Sequence, residues 1–461
     1  MQARTLGRNT AGNSNAIIEL LVVFCLLCRL GFPGNLAQPF GGDRIHFLID
    51  YASSFLQLIL IMLCSANTVL DIKLLDLKKK YLPIYVMLLI MYGISWMVTE
   101  NPAKQTSIII RFTITALFGI WLADNYEPER ILELLYMAYI GIVIANLLTM
   151  FVFRSAGYHI DENYGYTFRG IFSQKNGLGA TFAYGLMFQV TLLRMKMKKG
   201  QRISIFFWLT MGFQLFFLLN ANATTAIFCC VVPIAYQIIH DRLGRDTRIQ
   251  WGVVYTVVSV GFLFISMTIL PLFAPLLEAL GKDATLTGRI PLWEGIIDFL
   301  TENHTMTGYG MLQFWETPSA LKALQKYYTR DSWYRTMAYG AHCNLLEIWL
   351  DLGLVGLGAY FFTTVFCFRN VKQLTKDEYT LASAIILPIM ISGLTDRFYT
   401  NSNARTMLFF TLLALACNGV DRRKKRAVKN RRAYIQRPSP EEPPPGGDAA
   451  AGAIHQGGAQ P

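Results

Sequence analysis

Residues 282–315 read KDATLTGRIPLWEGIIDFLTENHTMTGYGMLQFW, and residues 341–358 read AHCNLLEIWLDLGLVGLG. This is the long polar insertion of a chain otherwise built from apolar blocks. It carries the pair Gly288-Arg289, the turn Gly308-Tyr309-Gly310, and His342 just ahead of an apolar run. The contrast decides the fold: apolar helices form a scaffold in a bilayer and present one polar segment at one of its faces.

Working outward, the composition agrees. Of 461 residues, 53% are hydrophobic and only 16% charged, against roughly 25% charged in an ordinary soluble domain. The apolar residues come in blocks of about 16–25, the length that crosses a ~30 Å hydrocarbon core. No two-residue alternation of the kind a membrane barrel needs is visible. The expected class is therefore an all-α polytopic membrane protein with about twelve transmembrane helices. The expected spans are 16–32, 46–66, 82–99, 106–123, 131–153, 176–193, 204–220, 224–240, 251–273, 344–368, 380–395 and 404–418, with one large loop, 274–343, containing short helices. Residues 1–418 form the membrane domain. Residues 419–461 turn basic and then Pro-, Gly- and Ala-rich, a composition that cannot bury a core and reads as a disordered tail.

The net charge of +12 does not point to nucleic acid, because the cations sit in short clusters between apolar blocks. Arg4 and Arg8, then Lys73, Lys78, Lys79 and Lys80, then Arg194, Lys196, Lys198, Lys199 and Arg202 fall on one side of a twelve-span path. Arg242, Arg245 and Arg248, then Arg369, Lys372 and Lys376, and finally the tail fall on the same side. By the positive-inside rule that side is cytoplasmic, and so are both termini. The loop 124–130 is acidic and adds nothing to this assignment. The opposite loops, 274–343 included, then face the periplasm of a bacterial inner membrane, where there is no ATP. Chemistry on that face needs a substrate activated beforehand. Cys25 and Cys28 form a C-x-x-C inside an apolar run and read as helix-packing residues.

Several residues are candidates for chemistry. Ile290, Trp293, Ile296, Ile297 and Leu300 recur at helical spacing, so a short amphipathic helix begins near Arg289. Arg289 reads equally as a structural cap or as a guanidinium fork for phosphate or carboxylate. His342 taken alone reads as an interfacial histidine. Glu347 and Asp351, one turn apart on the helix it enters, add weight to a functional role, and imidazole suits general-base work near neutral pH. His304 competes as a base but reads better as a loop residue ahead of the tight turn at Tyr309. In FRGIFSQKNGLG (168–179), Arg169 and Lys175 lie beside glycines where backbone and charge can approach a diphosphate. They read otherwise as topological flanks, although cations are depleted on the outer side. The turn at Asn220–Thr225 reads as helix capping.

FRGIFSQKNGLG (168–179), DATLTGRIPLW (283–293), TGYGMLQFW (307–315) and AHCNLLEIWLDLGLVG (341–356), in this order, resemble the O-antigen ligase/polymerase family (Wzy/WaaL-like), exopolysaccharide-polymerase branch. Two departures stand out. Cys343 intervenes between His342 and Asn344 where the family usually has His-Asn, and Asn222-Ala223-Thr224 lacks the basic residue often found in that turn. The resemblance implies an all-helical, GT-C-like glycosyltransferase that uses an undecaprenyl-diphosphate-linked oligosaccharide, with no cofactor and no obligatory metal. It implies that Arg169 and Arg289 hold the donor diphosphate and that His342 activates the acceptor hydroxyl. Lys175, Tyr309 and Glu347 are the further substrate-binding candidates. Implied partners are the growing glycan, the bilayer, a chain-length regulator and an export complex. The expected function is polymerisation of repeat units. The alternatives are a ligase moving finished glycan onto lipid A core and, in another class, a lipid-oligosaccharide flippase. Against the flippase, no internal repeat is visible and, apart from Arg111, most charge sits at the outer boundary.

Overall fold

The computed structural model describes residues 12–69, 79–161, 165–243, 249–273, 275, 285–286, 288–327, 340–397 and 402–435. Each of the twelve expected apolar segments is helical. In chain order the helices are α1 (Gly12–Arg29), α2 (Asp43–Val69), α3 (Leu82–Val98), α4 (Pro102–Asn125) and α5 (Pro128–Phe151). Then come α6 (Lys175–Lys198), α7 (Ile205–Asn220), α8 (Thr224–Leu243) and α9 (Trp251–Thr268). After α9 follow α10 (Arg289–Glu302) and α11 (Pro318–Leu324), and then α12 (Asn344–Phe368), α13 (Lys376–Gly393) and α14 (Ala404–Ile435). The non-helical exception is a small antiparallel hairpin, β1 (Tyr158–Asp161) with β2 (Gly165–Phe168), paired Tyr158 to Phe168. It lies in a loop for which no strand is expected.

Helix is not the same as span. Six described helices are long and apolar enough to cross a membrane: 44–62, 102–125, 128–151, 224–243, 251–268 and 344–373. A seventh results if α1 and the 3-10 turn Gly34–Phe40, bent by 90°, count as one. α3, α7 and the apolar part of α14 are shorter. α6 and α13 fall outside both groups for a visible reason. α6 ends in Arg194, Lys196 and Lys198, and α13 begins Lys376-Asp377-Glu378. Both bury most of their length inside the bundle, so they need less lipophilicity. Rows of large apolar side chains stay exposed instead on α7 (Phe206, Leu209, Phe213) and α9 (Val257, Val260, Phe264). Such rows suit hydrocarbon rather than water. The chain is a helical membrane protein.

α6 packs against α5, α7 and α8, and α14 lies along α4 with Phe112 and Phe410 edge to face at 5.7 Å. Buried amides join neighbouring helices: Gln189 Nε2 donates to the Phe207 carbonyl at 2.7 Å, and Gln214 Nε2 donates to Gln189 Oε1 at 2.7 Å. In an apolar bundle such pairs hold helices where hydrophobic burial cannot. Cys25 and Cys28 are unlinked thiols on α1. α14 runs on through the basic stretch to Ile435, so a helix occupies the start of the expected tail. Residues 436–461 and the cations Arg4, Arg8, Lys73, Lys78, Arg245 and Arg248 lie outside the described residues.

Candidate functional site

α10 begins at Arg289, directly after Gly288, whose φ of 78° is a left-handed conformation suited to glycine. Leu292, Trp293, Ile296, Phe299 and Leu300 are buried in a second core with Leu346 and Leu350 of α12 and Phe314. That packing carries Trp293 to the strand of chain entering α12. Its indole Nε1 donates to the Ala341 carbonyl at 2.8 Å. From the other side, Glu347 Oε1 accepts the Ala341 N–H at 2.5 Å, while Glu347 Oε2 accepts from Trp315 Nε1 at 3.0 Å. Residue 341 is therefore gripped through both its N–H and its carbonyl. Glu347 is 1% exposed; both its oxygens serve the protein's own scaffold.

The next residue is His342, half-buried, with φ 48°. A non-glycine residue in that region is strained and needs surroundings that hold it. The clamp on Ala341 is such a surrounding. Burial pushes the His342 imidazole below its usual 6.5, and the positive charges of Arg289 and Arg397 push the same way, while Asp396 opposes them. Arg289, Asp396 and Arg397 thus converge electrostatically on one ring that is neutral at neutral pH.

The Gly308-Tyr309-Gly310 turn has a structural partner. α12 breaks at Gly353 (φ 64°), where an added Cβ would lie 2.1 Å from the Met306 carbonyl carbon. The backbone N–H groups of Tyr309 and Gly310 donate to the carbonyls of Leu350 and Asp351, both at 2.8 Å. The Tyr309 ring packs between Phe299 and Phe314, with His304 against it at 4.5 Å. This turn splices the polar segment into the broken helix.

Arg169 and Lys175 belong to the segment that leads into α6. Arg169 follows the hairpin, with Nη1 3.4 Å from the Ser173 carbonyl and a buried Nε lacking a hydrogen-bond partner among the described residues. Lys175 is the first residue of α6. Asn35 Nδ2 donates to the carbonyls of Gly170 (3.3 Å) and Phe172 (2.5 Å), tying the loop to the chain after α1. The structure thus brings Arg289, His342 and Glu347 together, seats Tyr309 in the adjoining core, and places Arg169 and Lys175 at the entry to α6. Asp396 and Arg405 connect these segments. Asp396, which acts on His342, also accepts from Arg405 Nη1 at 2.7 Å. Arg405 in turn lines a cavity shared with Phe172 and Gly177.

Sequence reasoning passed over Arg29, Asp396, Arg397 and Arg405. A signal was present. All four lie at boundaries on the expected outer side, where cations are scarce, and no motif marked them. Among the described residues no group of three or more His, Cys, Asp or Glu is placed to hold a metal ion.

The chain is thus a helical membrane protein with a strained histidine at the entry to α12, on which the charges of two guanidinium groups act. Residues 206–361 match the family model described as O-antigen ligase. The match runs from α7 into α12 and takes in Arg289, Tyr309, His342 and Glu347; Arg169, Lys175 and Arg405 lie outside it. A search of curated proteins found no match.

Proposed function

We propose that the chain is a membrane glycosyltransferase that joins undecaprenyl-diphosphate-linked oligosaccharide repeat units during exopolysaccharide or O-antigen synthesis. The observation that carries this reading is that the charge of Arg289 acts on a strained His342 inside the stretch that matches the O-antigen ligase family. In this reading the twelve helices form twelve spans, both termini are cytoplasmic, and the His342 end faces the periplasm. The charge distribution of the loops supports that orientation.

The chemistry follows from charge. As the glycosidic bond breaks, the departing lipid diphosphate gains negative charge. Arg289, with Arg169, stabilises that charge as it develops, and one pre-positioned donor of this kind contributes about 3–4 kcal/mol. The acceptor hydroxyl loses its proton as it attacks. An imidazole held neutral by burial accepts that proton without first shedding one, and general-base help of this kind adds roughly 10²–10⁴-fold. Attack from the face opposite the diphosphate inverts the anomeric centre. The energy resides in the donor linkage, so neither nucleotide nor metal is required.

The second reading is a ligase that passes finished glycan to lipid A core; the same family match favours it equally, and the acceptor separates the two. The deciding experiment gives purified protein undecaprenyl-diphosphate-linked repeat units, without nucleotide and with EDTA. Polymer plus released undecaprenyl diphosphate, with the donor configuration inverted, is the expected result. Absence of turnover by folded protein, followed by transfer once lipid A core is added, establishes the ligase instead. No transfer to either acceptor overturns the transferase reading.

A further inference from the structure

The apolar outer surface does not stop at the end of α5. Met137, Ile144, Leu148 and Phe151 stay exposed along one face of that helix, at the spacing of a helical stripe, and Val152 continues it past the last turn. After one helical turn, Arg154–Gly157, the chain forms the hairpin of β1 and β2. Tyr158 pairs with Phe168 and Ile160 with Tyr166, so strand alternation puts these four side chains on one face. His159 and Thr167 fall on the other face, with Nδ1 and Oγ1 hydrogen-bonded at 3.3 Å.

A row of rings runs along the first face from the core outward. Phe217 of α7 and Phe168 are buried, with centroids 5.8 Å apart. Tyr158, half-buried, lies 5.0 Å from Phe168, and Tyr166 stacks on Tyr158 at 4.9 Å with the planes 4° apart. The row ends in the open: Tyr166 is 69% and Ile160 82% exposed. Its root is firm. The Gly157 carbonyl accepts from the N–H groups of Arg169 (2.9 Å) and Gly170 (3.0 Å), and Asn146 Oδ1 of α5 accepts from the Ile171 N–H at 3.1 Å. A Cβ on Gly157 would lie 2.5 Å from the Thr149 carbonyl oxygen, so the turn sits directly on the end of α5. Phe40, on the 3-10 turn bent 90° away from α1, is exposed in the same region, 5.6 Å from Phe153.

The chemistry of this face decides what covers it. It continues the hydrocarbon-facing stripe of a span, and none of its four side chains is ionised. A sugar platform needs hydrogen-bonding groups around the ring, and here those of the strands lie on the opposite face. Tyrosine at the rim of an apolar surface is the side chain that sits at headgroup level, ring toward the acyl chains and hydroxyl toward water.

We propose that the β1–β2 hairpin is an interfacial membrane anchor, with Ile160 and Tyr166 seated at the boundary between headgroups and acyl chains in the leaflet at this end of the bundle, and His159 and Thr167 turned away from lipid. The ring row ties that depth to α7, and the closed root ties it to α5, so the anchor sets the level at which the chain enters α6. The inference does not rest on the transferase reading, and its test needs no turnover.

Full-length protein in nanodiscs of phosphatidylethanolamine and phosphatidylglycerol receives one added cysteine, labelled with bimane. Wild-type protein taken through the same labelling sets the background from native thiols. Quenching by a lipid bearing a nitroxide high on its acyl chain is compared with quenching by iodide in the water. For Ile160→Cys the ratio of lipid to iodide quenching is expected to exceed that of Thr167→Cys by about fivefold. Tyr166→Cys reads the same face and serves if Ile160→Cys fails to fold. Adding Ile160→Asp to Tyr166→Cys is expected to cut lipid quenching by about threefold, because a charge resists entry; unchanged quenching there overturns the proposal. Equal ratios on the two faces overturn it as well. So does shielding of the Ile160→Cys label from both quenchers, which gives the face to a protein partner, and so does iodide quenching that an added oligosaccharide suppresses, which makes the face a glycan platform.

Discussion

The two ends of the helical bundle treat charge differently. At the end formed by the N-terminus of α5 and the C-termini of α4, α6 and α8, cations meet carboxylates of the same chain. Lys80 pairs with Asp124 at 3.1 Å, Lys196 with Glu133 at 2.6 Å, Lys199 with Glu129, and Arg194 and Lys198 with Asp241. At the other end Glu347 holds backbone, while Asp50 and Asp396 are each shared. The first end neutralises itself. The second keeps an excess of guanidinium around a strained histidine. Partly exposed pairs are worth little singly, whereas fixed cations with too few internal anions suit a substrate that brings its own negative charge.

The strongest way to break this contrast is to remove a site-end cation. Arg289→Ala is expected to lower polymer formation by about 10²–10³-fold, with the protein still present in the membrane; Arg169→Ala should fall as far. Arg289→Lys should restore little, because a point charge does not replace a planar fork. Wild-type chain length in an Arg289→Ala strain would falsify the assignment. His342→Ala is expected to lose about 10²–10⁴-fold. The acid limb of the wild-type rate should lie below pH 6.5, because burial, Arg289 and Arg397 all disfavour the imidazolium. The same shift acts on stability. The unfolded imidazole takes up a proton near 6.5 and the folded one only at lower pH, so stability is complete above 6.5 and declines as pH falls below it. In Arg289→Gln, an NMR titration of His342 should move upward; an unmoved titration means that the two groups do not feel each other.

Glu347→Gln sharpens the comparison, because it tests a carboxylate that holds structure rather than neutralising charge. The amide can still accept from Ala341 but offers an NH₂ toward the Trp315 indole in place of an acceptor. The expected cost is roughly 1–3 kcal/mol of stability, with kcat lowered and KM nearly unchanged as His342 loosens. A raised KM with kcat intact would instead make Glu347 a substrate contact.

How much of this was legible in the sequence follows from what each feature depends on. Apolar run length located the helices, since helix and span share that signal; that α6 and α13 are less apolar because they are buried against other helices is a tertiary property that run length does not carry. Arg289 and His342 could be singled out because they stand at element boundaries in recognisable motifs. Tyr309 was readable only as a turn; that it packs between Phe299 and Phe314 depends on the break at Gly353 of α12. The role of Glu347 as a clamp depends on Trp293 and Trp315 arriving from distant segments. Arg29 and Arg405, 376 positions apart in the numbering, meet at one cavity only after the fold has closed.

The self-neutralising end supplies the smallest expected effects. Lys196→Ala breaks a pair with Glu133 whose members are 22% and 26% exposed, and the loss should stay within about 1 kcal/mol, with polymer length unchanged. Truncation after Val420 goes further, removing the basic continuation of α14 together with everything beyond it. If that segment serves only as a cytoplasmic stop resting on anionic lipid, polymer yield should fall no more than the amount of protein in the membrane does. Normalising yield to protein level makes the test exact: unchanged specific activity keeps chemistry at the guanidinium-rich end alone. Lost specific activity in a stably inserted truncation would mean that the two ends are coupled through α14, which lies along α4 and begins beside Arg405.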